Sequence, residues 1–112
     1  MAIFIYSENL KDRFSSEKPV VEKVTDTDNG RIVLFFLKKG QIIELHRSPS
    51  DVIVTVLFGK GRFFIGSKDV YRDINCGETV IYEPNELHGF EAIEDMVVQA
   101  VITPIPVKKI EL

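Results

Sequence analysis

Cysteine and histidine are both scarce in this chain. Cys76 is the single cysteine in 112 residues, which rules out an internal disulfide framework and a paired-cysteine zinc site. Asn75 and Gly77 place it in a turn, and no His or Lys stands beside it to activate the thiol. His46 and His88 are the only histidines, and no Ser-His-Asp order accompanies them. No Gly-rich loop runs into a helix start, so a phosphate cradle is not expected. Long apolar runs are missing too. Ala2–Tyr6 has no basic flank and is far too short for a signal peptide or a membrane span. A cytoplasmic protein with no membrane partner is therefore the expectation. Charge of one sign is also lacking: the net charge is −3, and Lys38-Lys39 and Lys108-Lys109 are isolated pairs. A nucleic-acid backbone demands a basic stripe, so no nucleic-acid partner is expected.

What remains is ordinary globular material, 45% apolar and 28% charged. The length suits one domain, taken as residues 1–112, with room for one core. Short runs rich in Val, Ile and Phe recur, each closed by Gly, Pro, Asn or Asp. They are Arg31–Leu37, Gln41–His46, Val52–Phe58, Arg62–Ile65, Val70–Ile74, Thr79–Tyr82, His88–Ala92 and Met96–Thr103. Such residues suit a pleated, half-buried surface, so each run reads as a strand. Asn29-Gly30 is the strongest hairpin signal, because both residues tolerate positive φ. Only Glu8–Phe14 hints at a helical turn, capped by Ser7 or Asn9. The prolines after Thr103 end the last strand. Many short strands without a long helix predict an all-β sandwich or barrel. RIVLFFL and DVIVTVLF are apolar on both faces, so their outer faces need a second sheet or a second subunit. A homodimer is expected on that ground.

Two segments resemble the paired motifs of the cupin superfamily. In the first, Gly40 is followed by five residues and His46, and the closing glycine falls at Gly59. In the second, Gly77 and His88 hold their places, with Glu83 at the usual proline position, Pro84 one residue late, and Asn85 at a glycine position. Asn85 can adopt the left-handed conformation that the glycine supplies. Between the motifs, GKGRFFIG resembles the turn and strand of small cupins. The resemblance covers about Ile32 to Thr103 and implies a double-stranded β-helix (jelly-roll) barrel, with His46 and His88 facing each other inside.

In that family three His and one Glu hold a divalent transition metal. Here the second His position is Ser48, the Glu position is Val52, and the final Asn position is Ala92. Neither Ser48 nor Val52 is a useful ligand. Asp51 would point to the opposite face unless a bulge near Pro49 turned it inward. Glu44 lies two residues before His46, so strict alternation puts it on the same face. His46, His88 and Glu44 thus form a candidate two-His, one-carboxylate metal set. Alternation also places Ser48, Phe90 and the row Val52, Val54 and Val56 along the cavity, with Tyr82 at its mouth or in the core. The expected role is to bind a small organic ligand at a partly lost metal site. Two alternatives stand beside it. One is a metal-dependent oxygenase- or isomerase-type enzyme using the substitute carboxylate; the other is a dimeric scaffold without ligand.

Overall fold

The computed structural model describes residues 1–6 and 13–105. Nine strands run through it: β1 (Val20–Asp26), β2 (Arg31–Leu37), β3 (Ile42–His46), β4 (Asp51–Phe58), β5 (Lys60–Ser67), β6 (Val70–Asn75), β7 (Thr79–Tyr82), β8 (His88–Ala92) and β9 (Met96–Thr103). The expected helical turn over Glu8–Phe14 falls largely outside the described residues. Among the described residues no helix is long and apolar enough to cross a membrane.

The strands form two antiparallel sheets, ordered β1-β2-β9-β4-β7 and β3-β8-β5-β6. Four of the nine match the apolar runs to the residue, three extend them by one or two residues at an end, and β3 is one residue shorter than its run. The unexpected strand is β1, VVEKVTD. Being an edge strand, it needs only one apolar face, and its charges kept it from reading as an apolar run. The loop before β2 also differs from expectation. Neither Asn29 nor Gly30 has positive φ. The Thr27 hydroxyl instead accepts the Asn29 and Gly30 N–H groups, each at 3.2 Å, and the Thr27 N–H donates to the Gly30 carbonyl at 2.9 Å. A side-chain turn thus replaces the tight two-residue hairpin.

The sheets pack face to face over one core. Val33, Leu37, Val52, Val54, Val56 and Val98 meet Phe63, Ile74, Phe90 and Ala92 from the other layer. Period-two alternation accounts for the inward row of β4, with Val52, Val54 and Val56 all below 5% exposed. Gly40, Gly59 and Gly77 have φ between 78° and 88°, which only glycine reaches without strain. At Gly59 a Cβ would also run into the Asp95 carbonyl.

The outer face of RIVLFFL is covered within the chain. Leu34, Phe36 and Val97 pack under Tyr6, Phe14, Val20, Val24 and Leu57. The Phe14 ring meets Phe36 edge-on at 5.7 Å, and the Tyr6 hydroxyl donates to the Leu57 carbonyl at 3.1 Å. Part of the ground for expecting a second subunit is thereby met internally. What stays open is the row Ile32, Val101, Ile53 and Ile81, one residue from each of β2, β9, β4 and β7 in direct register. Of these, Ile81 is 66% exposed.

Because Phe36 ties the larger sheet to the segment that covers it, Phe36→Ala should destabilise the domain by about 3–5 kcal/mol in urea unfolding. A loss under 1 kcal/mol would show that the covering layer contributes little.

Candidate functional site

The two histidines meet because β3 is irregular. Ile43 pairs with Phe90, but His46 pairs with His88, so β3 holds one more residue than β8 between those rungs. Glu44 and Leu45 together lie opposite Gly89. Such a bulge reverses the facing of every residue beyond it. His46 therefore sits on the inward face with Ile43, and its ring lies 3.9 Å from that of His88. Gly89 makes this possible, since a Cβ there would stand 2.7 Å from the Ile43 carbonyl and 3.0 Å from the Leu45 nitrogen.

The same bulge overturns the alternation argument for Glu44. Its carboxylate is at the surface, paired with Lys68 at 2.6 Å. Among the described residues no three His, Cys, Asp or Glu side chains group to hold a metal ion. Asp51 gains nothing either, because the bulge falls in β3 and not near Pro49. Ser48 turns its hydroxyl to the Ser50 N–H at 3.2 Å, a local turn that draws it to its own backbone. Val52 is buried in the core. Two imidazoles alone do not fit the four-donor centre that the motif pattern implies.

What the pair offers instead is set by its tethers. His46 Nδ1 lies 2.8 Å from the Glu44 carbonyl, and His88 Nδ1 lies 3.1 Å from the Glu86 carbonyl. A carbonyl only accepts, so each Nδ1 carries the proton and donates it. In the neutral ring this leaves Nε2 with its lone pair, and both rings are fixed in orientation. His88 is 5% exposed, whereas His46 is exposed at the rim, so only one of the two histidines expected inside the barrel is buried. Burial pushes the His88 pKa below its ordinary value; the Glu86 carbonyl opposes this, and the nearby His46 adds to it. His88 is a neutral acceptor at pH 7.

Two loops hold the rim in place. The Asn85 N–H donates to the Ser48 carbonyl at 2.7 Å, and Arg47 Nε donates to the Asn85 carbonyl at 3.2 Å. Asn85 has φ 67°, as its place in the motif implies, and it follows Pro84 in a turn that Glu86 N–H closes on the Glu83 carbonyl at 3.2 Å.

Tyr82 connects this rim to the interior. It is 5% exposed, with its ring 5.1 Å from that of His88. Its hydroxyl donates to the Phe64 carbonyl at 3.3 Å, and its pKa is pushed up to about 12 by burial and then by the Glu86 charge. Phe90 does share the His88 face, but it is core, stacked on Phe63 at 4.8 Å and met edge-on by Phe35 at 5.6 Å.

Beyond Tyr82 opens a cavity of about 340 Å³. It lies between β6 and β7, the unpaired inner edges of the two sheets. Phe63, Ile65, Ile74 and Val80 give it apolar walls, and Arg72, Glu78 and Tyr82 give it polar ones. Of these, sequence reasoning singled out only Tyr82. Alternation along β6 could have found Arg72, which is two residues before the buried Ile74. Nothing in the sequence shows that β6 and β7 come together.

A nine-strand, two-sheet barrel with motif glycines at positive φ and one histidine on each of two paired strands defines a small cupin barrel. The chain belongs to the RmlC-like cupins. An RmlC-like cupin protein from Desulfovibrio desulfuricans is 31% identical, with 82% of this chain and 88% of that one covered at a TM-score of 0.77. A protein with a double-stranded β-helix domain from Klebsiella pneumoniae superposes at 0.82, covering 93% and 90% at 24% identity. A Thermus thermophilus protein does so at 0.75, covering 91% and 100% at 20% identity. No known family model matches the sequence, and no curated protein does.

Two outcomes test this geometry. Gly89→Ala must push the bulge aside, so it should cost roughly 1–3 kcal/mol and shift the His46 and His88 ring resonances in NMR spectra. Unmoved resonances would separate Gly89 from the pairing of the rings. Below pH 6.5 the unfolded chain takes up a proton that buried His88 resists. The stability that His88 contributes is therefore complete above that pH and falls as the pH drops toward its folded pKa. Urea midpoints between pH 7.5 and 5 should decline less in His88→Gln, and an equal decline would remove His88 as a cause.

Proposed function

We propose that this small cupin is a binding protein for a small organic molecule, held at the His46–His88–Tyr82 end of the barrel. One observation carries the reading: both imidazoles have their Nδ1 protons committed to backbone carbonyls, and Tyr82, whose ring lies 5.1 Å from that of His88, is the residue that joins this pair to the cavity it walls. A ligand hydroxyl or N–H can donate to the Nε2 of a neutral imidazole. At about 340 Å³, the cavity is near the lower end of the range for small-ligand sites, roughly 300–1,000 Å³.

The donor set favours binding over metal-dependent turnover. With Glu44 ion-paired at the surface and Ser48 and Val52 in the other motif positions, a metal would have two protein ligands. Hydroxide generation and substrate polarisation at a metal normally rest on at least three.

The test is a thermal-shift screen of small alcohols, polyols, amides and acids, with elemental analysis of untagged protein alongside. Ligands found should stabilise the parent chain and lose at least tenfold in affinity in His46→Gln and His88→Gln, while chelator leaves the melting temperature unchanged. Stoichiometric Fe, Mn, Ni or Zn that is lost in either histidine variant would replace this reading with the enzyme one. A screen in which no compound stabilises the chain would favour a ligand-free scaffold.

A further inference from the structure

We propose that the seam between β6 and β7 is a carboxylate-binding site, with Arg72 as the anion anchor. This rests on the ligand-binding reading and names the class of ligand: a small monocarboxylate with a compact apolar or aromatic body.

The case begins with where Arg72 points. It is directly opposite Phe63 in the β5–β6 register, and opposed residues of an antiparallel pair share a face. Phe63 is core, so the guanidinium rises from the inward face of an edge strand, next to Ile74. Both Arg72 and Ile74 line the cavity.

The second observation is the company it keeps. Arg13, Arg31 and Arg62 are each paired with a carboxylate, at 3.1, 3.3 and 3.8 Å. Arg62 also lies 4.2 Å over the Tyr71 ring, and Arg47 is bonded to the Asn85 carbonyl. Among the described residues, Arg72 forms no ion pair and no side-chain hydrogen bond. The carboxylate nearest in sequence that also lines the cavity is Glu78, and its Oε1 is held by the Asn75 N–H at 2.6 Å. A planar fork of five donors is thus presented to the cavity with none of the described side chains bonded to it, a geometry that matches a carboxylate bidentately.

The third is the shape of the seam. β5 and β6 lose register between Phe64 and Ser67, with Gly66 at φ 75°. β5 also parts from β8 after Phe63. The sheet therefore splays where the cavity opens. Apolar walls from Phe63, Ile65, Ile74 and Val80 would hold the body of the ligand while Arg72 holds its charge. Ile65, 57% exposed, would be the side chain that gains most cover.

An inward charge on an edge strand can also serve only to block edge-to-edge pairing. The test separates the two roles, using phenylacetate and its neutral isostere phenylacetamide as probes in titrations followed by NMR. Phenylacetate should bind the parent chain at least tenfold more tightly than phenylacetamide, an advantage that shrinks as salt rises. Arg72→Gln should equalise the two probes, and Arg72→Lys should keep part of the preference. Glu78→Gln should strengthen phenylacetate binding by removing a like charge. Equal affinities in the parent would overturn the Arg72 assignment while leaving the barrel a ligand site. So would a preference that survives Arg72→Gln, or an Arg72→Gln variant that only self-associates. Failure of both probes to bind would overturn it too, and the histidine-dependent screen would then judge the wider reading separately.

Discussion

Glu44 and Leu45 of β3 share a single partner, Gly89 of β8, and the furnishing of the barrel depends on that mismatch. Without it, Leu45 would stand opposite His88, and His46 would share the outward face of Glu44. With it, the imidazoles meet edge-on across the strand pair, while Glu44 stays outside on Lys68. The bulge needs a residue with no Cβ on the opposing strand, because the backbone of β3 occupies the space a methyl group would need. The site thus rests on one absent side chain.

The outer face of the larger sheet and one of its edges are treated differently here. The face is sealed by Tyr6 and Phe14 over Leu34 and Phe36. At the edge, β6 and β7 do not bond to each other. The space between them is not filled by core residues, and it is where the polar groups lie. Tyr82 belongs to both regions. It packs against His88, donates to Phe64, and walls the cavity. Its raised pKa keeps the hydroxyl protonated, so this donor stays in place across the physiological range.

Function follows from what was lost and what was kept. Ser48 and Val52 remove two donors from the motif pattern, and the bulge removes the carboxylate that alternation offered as a replacement. The retained histidines are not idle, since their Nδ1 tethers and their shared rung hold two Nε2 acceptors in a fixed relation. The tethered histidine pair and the Arg72 guanidinium in the seam are the polar groups on which the proposed binding role rests.

Strand identity was legible in the sequence almost throughout, because burial of alternate residues writes itself into every strand that has an apolar face. The turn at Pro84-Asn85 was legible for a similar local reason: few residues accept positive φ. The paired motifs carried the barrel and the meeting of His46 with His88. Edge strand β1 was missed because solvent on one side removes the apolar signal. Glu44 was misplaced because alternation is a local rule and a bulge is a property of two strands at once. The seam at Arg72 was hidden for the same reason, since no residue of β6 specifies that β7 lies across from it. The sequence by itself determined eight of the nine strands and the Pro84-Asn85 turn, and its paired motifs implied the meeting of the two imidazoles. Only the tertiary structure decided which side chains share an interior. Facing and adjacency depend on register between strands distant in sequence, and a one-residue slip reverses them.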